Sequence, residues 1–501
     1  MSKAFRIGSI ARTRTGRVGV IDIGSNSIRL VVYDRLARAP IPVFNEKVMC
    51  GLGRTLSATG KLDPEGRALA IDNLVRFTAL LEGMDVDRVD ILATAAVRDA
   101  ADGAVFVAEV ARRCALDIAV ISGSEEARLS ALGVLAGIPT ADGAMGDLGG
   151  GSLELVGLDK GRIDEQATLP LGPFRLMALK GGAPKLRPRI DATLADEPWI
   201  EGYRGRPFYA VGGAWRALAR VHMALRRHPI HVIQHYGADA EDLKDLARLI
   251  ARQGKSSLER MPGVSKRRLE ALPYAAAVLE SVIEALAPER VVFSAGGLRE
   301  GHLFDLLPPE DQAVDPLIAA CSDAAERIDR HGFGDVGAMA DWIAPLFADE
   351  PPGFGRLRRA AALLSDIGWA EHPDYRAEHA FLRVLRLQAG GLDHVERVQL
   401  AAAIYARYGG IPGNGPSGDA VTLLTEEERG WALRLGLSLR LAHTITGGAP
   451  EPLKRIRLEN AASGPRLVLP ADYETLGGAI VQRRLDAVAK AMGTKGTVVV
   501  A

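Results

Sequence analysis

Cysteine is scarce in this chain. Three occur among 501 residues, Cys50, Cys114 and Cys321, and no pair has the spacing of a metal knuckle or a disulfide framework. That fits a reducing compartment and excludes a disulfide-stapled scaffold. Aromatic residues make up only 5%, and no run of about 18 apolar residues occurs, so no transmembrane segment is expected. Charge of either sign in excess is missing too: Lys+Arg and Asp+Glu are both 62. The basic balance of many nucleic-acid binders is absent, and no sequence-specific nucleic-acid partner is expected. A polyanion ligand would need a local cationic groove, on which net charge is silent. Residues 1–17 hold Lys3, Arg6, Arg12, Arg14 and Arg17 and no acid. They lack the apolar stretch of a signal peptide and read as a basic flexible tail. The expected location is cytoplasmic, with peripheral membrane contact through that tail as the minority view.

What is present is ordinary globular composition, 48% hydrophobic and 25% charged, in a chain long enough for about three domains. Val18, Val20, Ile21 and Ile23 lead into Asp22-Ile-Gly-Ser-Asn-Ser27, and Ile28–Tyr33 follow; two β-rich runs around a Gly/Ser/Asn turn predict a hairpin. Pro64 opens a predicted helix over about 64–82. Strands are expected near 89–94 and 116–121, and Ser122-Gly-Ser-Glu-Glu126 opens a helix to about Leu135.

The opening pattern then returns. Residues 22–34 align without gaps on residues 147–159, with six of thirteen positions identical: Asp22/147, Gly24/149, Ser27/152, Leu30/155, Val31/156 and Asp34/159. Chance gives about one match, so an internal duplication is the economical reading. It implies two similar α/β lobes whose turns face a shared cleft. Two more strand–Gly-Gly–helix junctions follow, at 208–213 and 291–297, where glycine permits close backbone approach. The predicted domains are the tail at 1–17, lobe I at 18–137, lobe II at 138–308, a helical domain at 311–445 and a C-terminal segment at 446–501 with strand-like pieces.

Paired glycine-rich turns suit a phosphate chain. They offer successive backbone N–H groups without side-chain obstruction. Gly24, Ser25, Asn26 and Ser27 in the first turn, and Gly149, Gly150, Gly151 and Ser152 in the second, are the candidate phosphate-binding residues. Asp22, Asp147 and Glu154 supply acid beside them. Mg²⁺, which phosphoryl chemistry usually needs, is held by one or two carboxylates plus waters. Those three are the candidate metal residues.

Five motifs, in order over about the first 305 residues, carry a family resemblance: Val20–Ser27, Ala93-Thr-Ala-Ala-Val-Arg98, Ile121-Ser-Gly-Ser-Glu-Glu-Ala-Arg128, Gly146–Glu154 and Gly296-Gly-Leu-Arg-Glu-Gly301. The chain resembles the exopolyphosphatase / guanosine pentaphosphate phosphohydrolase family, most closely its long-form exopolyphosphatases. That family is a branch of the actin-like, ribonuclease H-like superfold. The resemblance implies an α/β fold of two actin-like lobes facing an interdomain cleft. A helical HD-like domain and a small C-terminal α+β tail would follow. It implies hydrolysis of the terminal phosphoanhydride of inorganic polyphosphate, assisted by Mg²⁺ and stimulated by K⁺, in a homodimer. The sister activity, on the nucleotide pppGpp, uses the same site. Spacing alone does not separate Glu125 from Glu126; the resemblance favours Glu126 as general base. It also places Arg98 against phosphate oxygens. Arg299-Glu300 is expected to support the fold near the domain junction, not to act in catalysis.

Residues 361–368 and 375–379 resemble the HD-type domain of longer family members, but Ser365 stands where an HD site has its His beside Asp366. His372, His379 and His394 form no ligand set by spacing. This domain is therefore expected to be HD-like in shape and metal-free. The non-hydrolase alternative is an actin- or Hsp70-like ATP-binding scaffold. It would place adenosine near Gly212-Gly213-Ala214-Trp215, where Trp215 and Arg216 could fill the space.

Overall fold

The computed structural model describes residues 16–179, 181–264, 268–328, 337–449 and 451–501. Residues 1–15 of the expected tail lie outside this set, while Arg17 begins the first strand. The chain divides into two compact units with the boundary between Val314 and Asp315.

The first unit is built on two sheets with one plan. Sheet one runs β3-β2-β1-β4-β5, from β1 (Arg17–Ile23), β2 (Ile28–Tyr33), β3 (Pro42–Val48), β4 (Val86–Ala93) and β5 (Ala119–Val120). An antiparallel meander, β1–β2–β3, is extended by parallel β4 and β5. Sheet two repeats the plan. A meander of β6 (Gly143–Leu148), β7 (Leu153–Asp159) and β8 (Arg162–Leu169) is extended by parallel β9 (Phe208–Val211) and β11 (Arg290–Phe293). Antiparallel β10 (Tyr236–Asp239) closes the edge. The two α/β lobes foreseen from the duplicated segment are thus present, and the duplicated residues form equivalent hairpins, β1–β2 and β6–β7.

Helices cover the sheets for identifiable reasons. α1 (Pro64–Gly83) starts where the Asp63 carboxylate accepts from the Gly66 N–H and Pro64 fills a first-turn position. It buries Ile71, Leu74, Phe77 and Leu81 in the core of lobe I. Short α2 (Ala95–Asp99) buries Ala96 and Val97 in that same core. α3 (Gly123–Gly137) follows lobe I in sequence but seats on sheet two, packing Ala127, Ala131 and Val134 with Met145, Val156 and Tyr209. Then come α4 (Pro173–Met177), α5 (Gly213–Leu225), α6 (Leu272–Leu286) and α7 (Leu298–Asp305). α7 returns to lobe I, where Leu303 and Leu307 meet Val18, Val20 and Val31. α3 and α7 touch backbone to backbone: a Cβ on Gly301 would fall 1.7 Å from the Leu129 carbonyl oxygen, so only glycine fits.

The second unit is mainly helical, with α8 (Pro316–Ile328), α9 (Phe354–Leu363), α10 (Arg376–Leu385), α11 (His394–Arg407), α12 (Glu426–Thr446) and α13 (Ala479–Ala491). A small sheet, β12 (Arg457–Ala461), β13 (Gly464–Leu469) and β14 (Thr497–Val500), completes it. α11 is buried nearly all round. Its Arg397 donates to the Leu385, Leu387 and Ala389 carbonyls at the end of α10, giving a buried cation three acceptors. Asp366 faces Arg407 at 3.4 Å, and His443 Nε2 lies 2.9 Å from Ser365 Oγ.

Candidate active site

The two duplicated turns are superposable in their hydrogen bonding. Gly24 N–H donates to the Ser27 carbonyl, and Gly149 N–H to the Ser152 carbonyl, each at 3.0 Å. Both turns line one cavity in the first unit, and they meet there: a Cβ on Gly151 would lie 3.0 Å from Ser25 Oγ. A side chain at that position would separate the loops. Ser25 and Ser152 are buried. Gly24, Ser25, Asn26, Ser27, Gly149, Gly150, Gly151 and Ser152 all line the cavity, with Asp22, Glu126, Asp147 and Glu154.

The Glu-Glu pair at the head of α3 is split by its surroundings. Ser122 caps the helix by accepting from the Glu125 N–H. Glu125 turns outward and pairs with Arg128, which also binds Asp305. Glu126, one residue on, points into the cavity and is only 8% exposed. Burial raises its carboxyl to about 7, and nearby Asp147 and Asp22 push the same way against the pull of Arg98. Glu154, 1% exposed, is raised well above the ordinary range by burial and then by Glu126. Its Oε1 accepts no hydrogen bond. Asp147, the cross-strand partner of Glu154, is raised by burial although Ser130 Oγ donates to it at 2.7 Å.

These carboxylates fit a divalent cation on chemical grounds. Buried acids that raise one another, one with an oxygen lacking a donor, are short of positive charge. Among the described residues no three His, Cys, Asp or Glu side chains converge as an all-protein cage. One or two carboxylates with waters, as Mg²⁺ prefers, remain compatible with Asp147 and Glu154. Asp22 is placed differently, because its Oδ2 accepts from Arg299 Nη1 at 2.9 Å.

Arg98 does not line the cavity. Its Nη1 donates to Glu126 Oε2 at 3.0 Å and to the Ile121 carbonyl at 3.2 Å, while its Nε reaches Asp99. Asp99 in turn pairs with Arg175 of α4. Arg98 thus pairs with the candidate base. Arg299 departs in the other direction. Expected to brace the fold, it lines the cavity and holds Asp22. Burial opposes ionisation of Glu300, yet Arg299 keeps that carboxyl below its ordinary value. Trp215 is fully buried, its indole N–H given to the Ala275 carbonyl and its ring edge-on to Phe208; Arg216 lines the cavity.

A sequence model described as the Ppx/GppA phosphatase family matches residues 31–310, more than half of the chain. The chain belongs to the Ppx/GppA phosphatase family. It is accordingly a hydrolase of phosphoanhydrides. A second model, exopolyphosphatase C-terminal, matches residues 340–499. Exopolyphosphatase 1 of Mycobacterium tuberculosis strain H37Rv is 28% identical over 311 residues, spanning 59% of this chain and 89% of that one. Retrograde regulation protein 2 of Saccharomyces cerevisiae is 26% identical over 441 residues, spanning 78% and 72%. A solved exopolyphosphatase from Cytophaga hutchinsonii shares the fold of the first unit at a TM-score of 0.53 and 24% identity. The match covers 58% of this chain and 97% of that one.

Of the cations on the cavity wall, Arg29, Lys47 and Arg268 were not singled out from sequence. Arg29 had a signal, since it occupies the repeat position held by Glu154 in the second copy. Lys47 and Arg268 had none, because strand register and chain folding bring them in.

Proposed function

We propose that this enzyme hydrolyses the terminal phosphoanhydride of inorganic polyphosphate, releasing orthophosphate, with Glu126 as general base. The observation that carries the reading is the position of Glu126. It is a buried carboxylate lining the same cavity as both glycine turns, with its carboxyl raised to about 7 by burial. The exopolyphosphatases among its relatives support polyphosphate as the substrate class.

The chain's own groups account for each part of the reaction. Backbone N–H groups of Ser25–Ser27 and Gly150–Ser152, with the Ser25 and Ser152 hydroxyls, hold and orient the terminal phosphate. A water beside Glu126 gives its proton to the carboxylate as its oxygen bonds to the terminal phosphorus. The phosphorus–oxygen bond to the rest of the chain breaks, and the electron pair stays on the shortened chain. A base whose proton affinity matches the working pH gives the best compromise between being ionised and being basic. Arg98 holds the Glu126 carboxylate in place. Mg²⁺, when bound, would neutralise phosphate oxygens, and Asp147 and Glu154 would hold it.

The test is orthophosphate release from long-chain polyphosphate and from pppGpp, side by side, with Mg²⁺ or EDTA. The wild type is expected to act on polyphosphate faster than on pppGpp and to stop in EDTA. Glu126→Gln keeps the shape and loses the base, and should bind substrate but fall at least about a hundredfold in rate. An unchanged rate in Glu126→Gln would remove the base assignment. Absence of release from either substrate would remove the proposed activity.

A further inference from the structure

From the cavity wall outward, charged side chains stand in a row of alternating sign. Glu126 Oε2 accepts from Arg98 Nη1 at 3.0 Å, Arg98 Nε donates to Asp99 Oδ1 at 3.2 Å, and Asp99 Oδ2 accepts from Arg175. Asp99 thus gives one carboxylate oxygen to each arginine. Among the described residues Arg98 and Arg175 are its only ion-pair partners. Glu126 lines the cavity, and Arg98, Asp99 and Arg175 do not.

The row crosses from one lobe to the other. Arg98 and Asp99 end α2, whose Ala96 and Val97 are set in the core of lobe I. Arg175 is on α4, whose Leu176 is buried in the core of lobe II. The same helix is clamped to the second glycine turn. Phe174 N–H donates to the Gly150 carbonyl at 3.0 Å. Gly172, just before the helix, lies so close that an added Cβ would fall 2.2 Å from the Gly151 carbonyl carbon. Neighbouring residues of one short helix therefore hold a phosphate turn, through the backbone, and the carboxylate beside Arg98, through a side chain.

Charge balance says what Arg175 does there. Arg98 has one guanidinium for two carboxylates, Glu126 and Asp99. With Arg175 in place, Asp99 has a second cation to satisfy it. Without Arg175, Asp99 has Arg98 alone, and a carboxylate with a single arginine favours the two-bond, fork-to-fork pair. What Asp99 gains, Glu126 loses. The Arg175 and Asp99 side chains are 37% and 31% exposed, so their pair adds little to stability. Its effect is on where Arg98 sits.

We propose that Arg175 is a positioning residue: by occupying Asp99 across the cleft, from a helix clamped to the second phosphate turn, it keeps the Arg98 guanidinium on Glu126. The proposal rests on the reading of Glu126 as base.

The test is kcat and KM for orthophosphate release from long-chain polyphosphate by the full chain and its Arg175→Met and Arg175→Lys variants. Arg175→Met is also combined with Asp99→Asn and, separately, with Glu126→Gln. Arg175→Met is expected to lower kcat about fivefold while KM changes less than about twofold, because Arg175 does not reach the cavity. Arg175→Lys should recover most of the loss. Asp99→Asn should also rescue Arg175→Met, because the amide still accepts from Arg98 Nε but no longer competes for its charge. In the Glu126→Gln background Arg175→Met should change the residual rate less than about twofold, since no base is left to position. Tm should barely move. A crystal structure of Arg175→Met should show Arg98 turned from Glu126 to Asp99. Arg175→Gln replaces Arg175→Met if the latter is misfolded. An unchanged kcat, a change in KM alone, no rescue by Asp99→Asn, or a fall of equal size in the Glu126→Gln background would overturn the proposal. If the wild type releases no phosphate, the hydrolytic reading fails. The hold of Arg175 on Arg98 is then decided by the crystal structure, and an Arg98 still on Glu126 in the variant would overturn it.

Discussion

Glu126 is a carboxyl held near 7 by burial, and this has two consequences with opposite signs for activity and stability. As the proposed base it would react in its ionised form. Rate should therefore climb with pH up to about 7, by about tenfold per unit on the acid side, and then level. Arg98 favours that ionised form, so Arg98→Gln should move the acid limb to higher pH. A pH–rate profile of the variant reads the shift; a limb that stays put would show that Arg98 does not tune the base. For stability the folded chain holds this proton more tightly than the unfolded chain, whose value is near 4.5. The contribution is complete below 4.5 and is lost as pH rises through about 7. Glu126→Gln removes the cost of burying the charge, roughly 3 kcal/mol. Its Tm should exceed that of the wild type at pH 8 and match it at pH 5. Glu154 and Asp147, also raised, act in the same direction.

At the scale of elements, the duplicated hairpins were legible because they are local. Both strands and turn lie within a short contiguous stretch, 17–33 in one copy and 143–159 in the other, and the glycine and serine positions that shape the turn are retained in both copies. The partition of helices was not legible. α3 follows β5 directly, yet its apolar face matches sheet two, and nothing in a helix's own periodicity names the sheet it will cover. The contact between α3 and α7 was hidden for the same reason. Gly133 and Gly301 look like ordinary helical glycines in sequence, but a Cβ on Gly133 would fall 2.2 Å from the Gly297 carbonyl oxygen. Gly301→Ala forces these helices apart and should destabilise the first unit by roughly 1–3 kcal/mol. Thermal unfolding of the full chain measures this as a lowered Tm. Because the displaced helix carries Glu126, activity should decline before the fold is lost.

For the whole molecule, zero net charge conceals a cavity whose wall carries Arg29, Lys47, Arg216, Arg268 and Arg299 among its carboxylates, which is why composition could exclude a generally basic protein but not a polyanion site. Attraction between exposed charges weakens as salt shortens the screening length, from about 10 Å at 0.1 M towards about 3 Å at 1 M. KM for long-chain polyphosphate should therefore rise with KCl more steeply than KM for pyrophosphate. Equal slopes would mean that the cations of the cavity wall make no contact with the longer chain. The second unit enters through a smaller claim. Ser365 was visible as a departure from an HD site. The pairing of Asp366 with Arg407 was not, since 41 residues separate them. With a guanidinium beside Asp366, Asp366→Ala is expected to leave phosphate release nearly intact. A large loss of activity in a folded variant would show instead that this carboxylate serves catalysis.

The seating of α3 has one more consequence. Glu126 belongs to a helix fixed on the second sheet, while Arg98 belongs to α2, whose Ala96 and Val97 are set in the core of lobe I. The base and the cation that tunes it are thus carried by opposite halves of the cleft. Any change in the spacing of the two halves would therefore alter the acidity of Glu126 through the distance to its counter-charge.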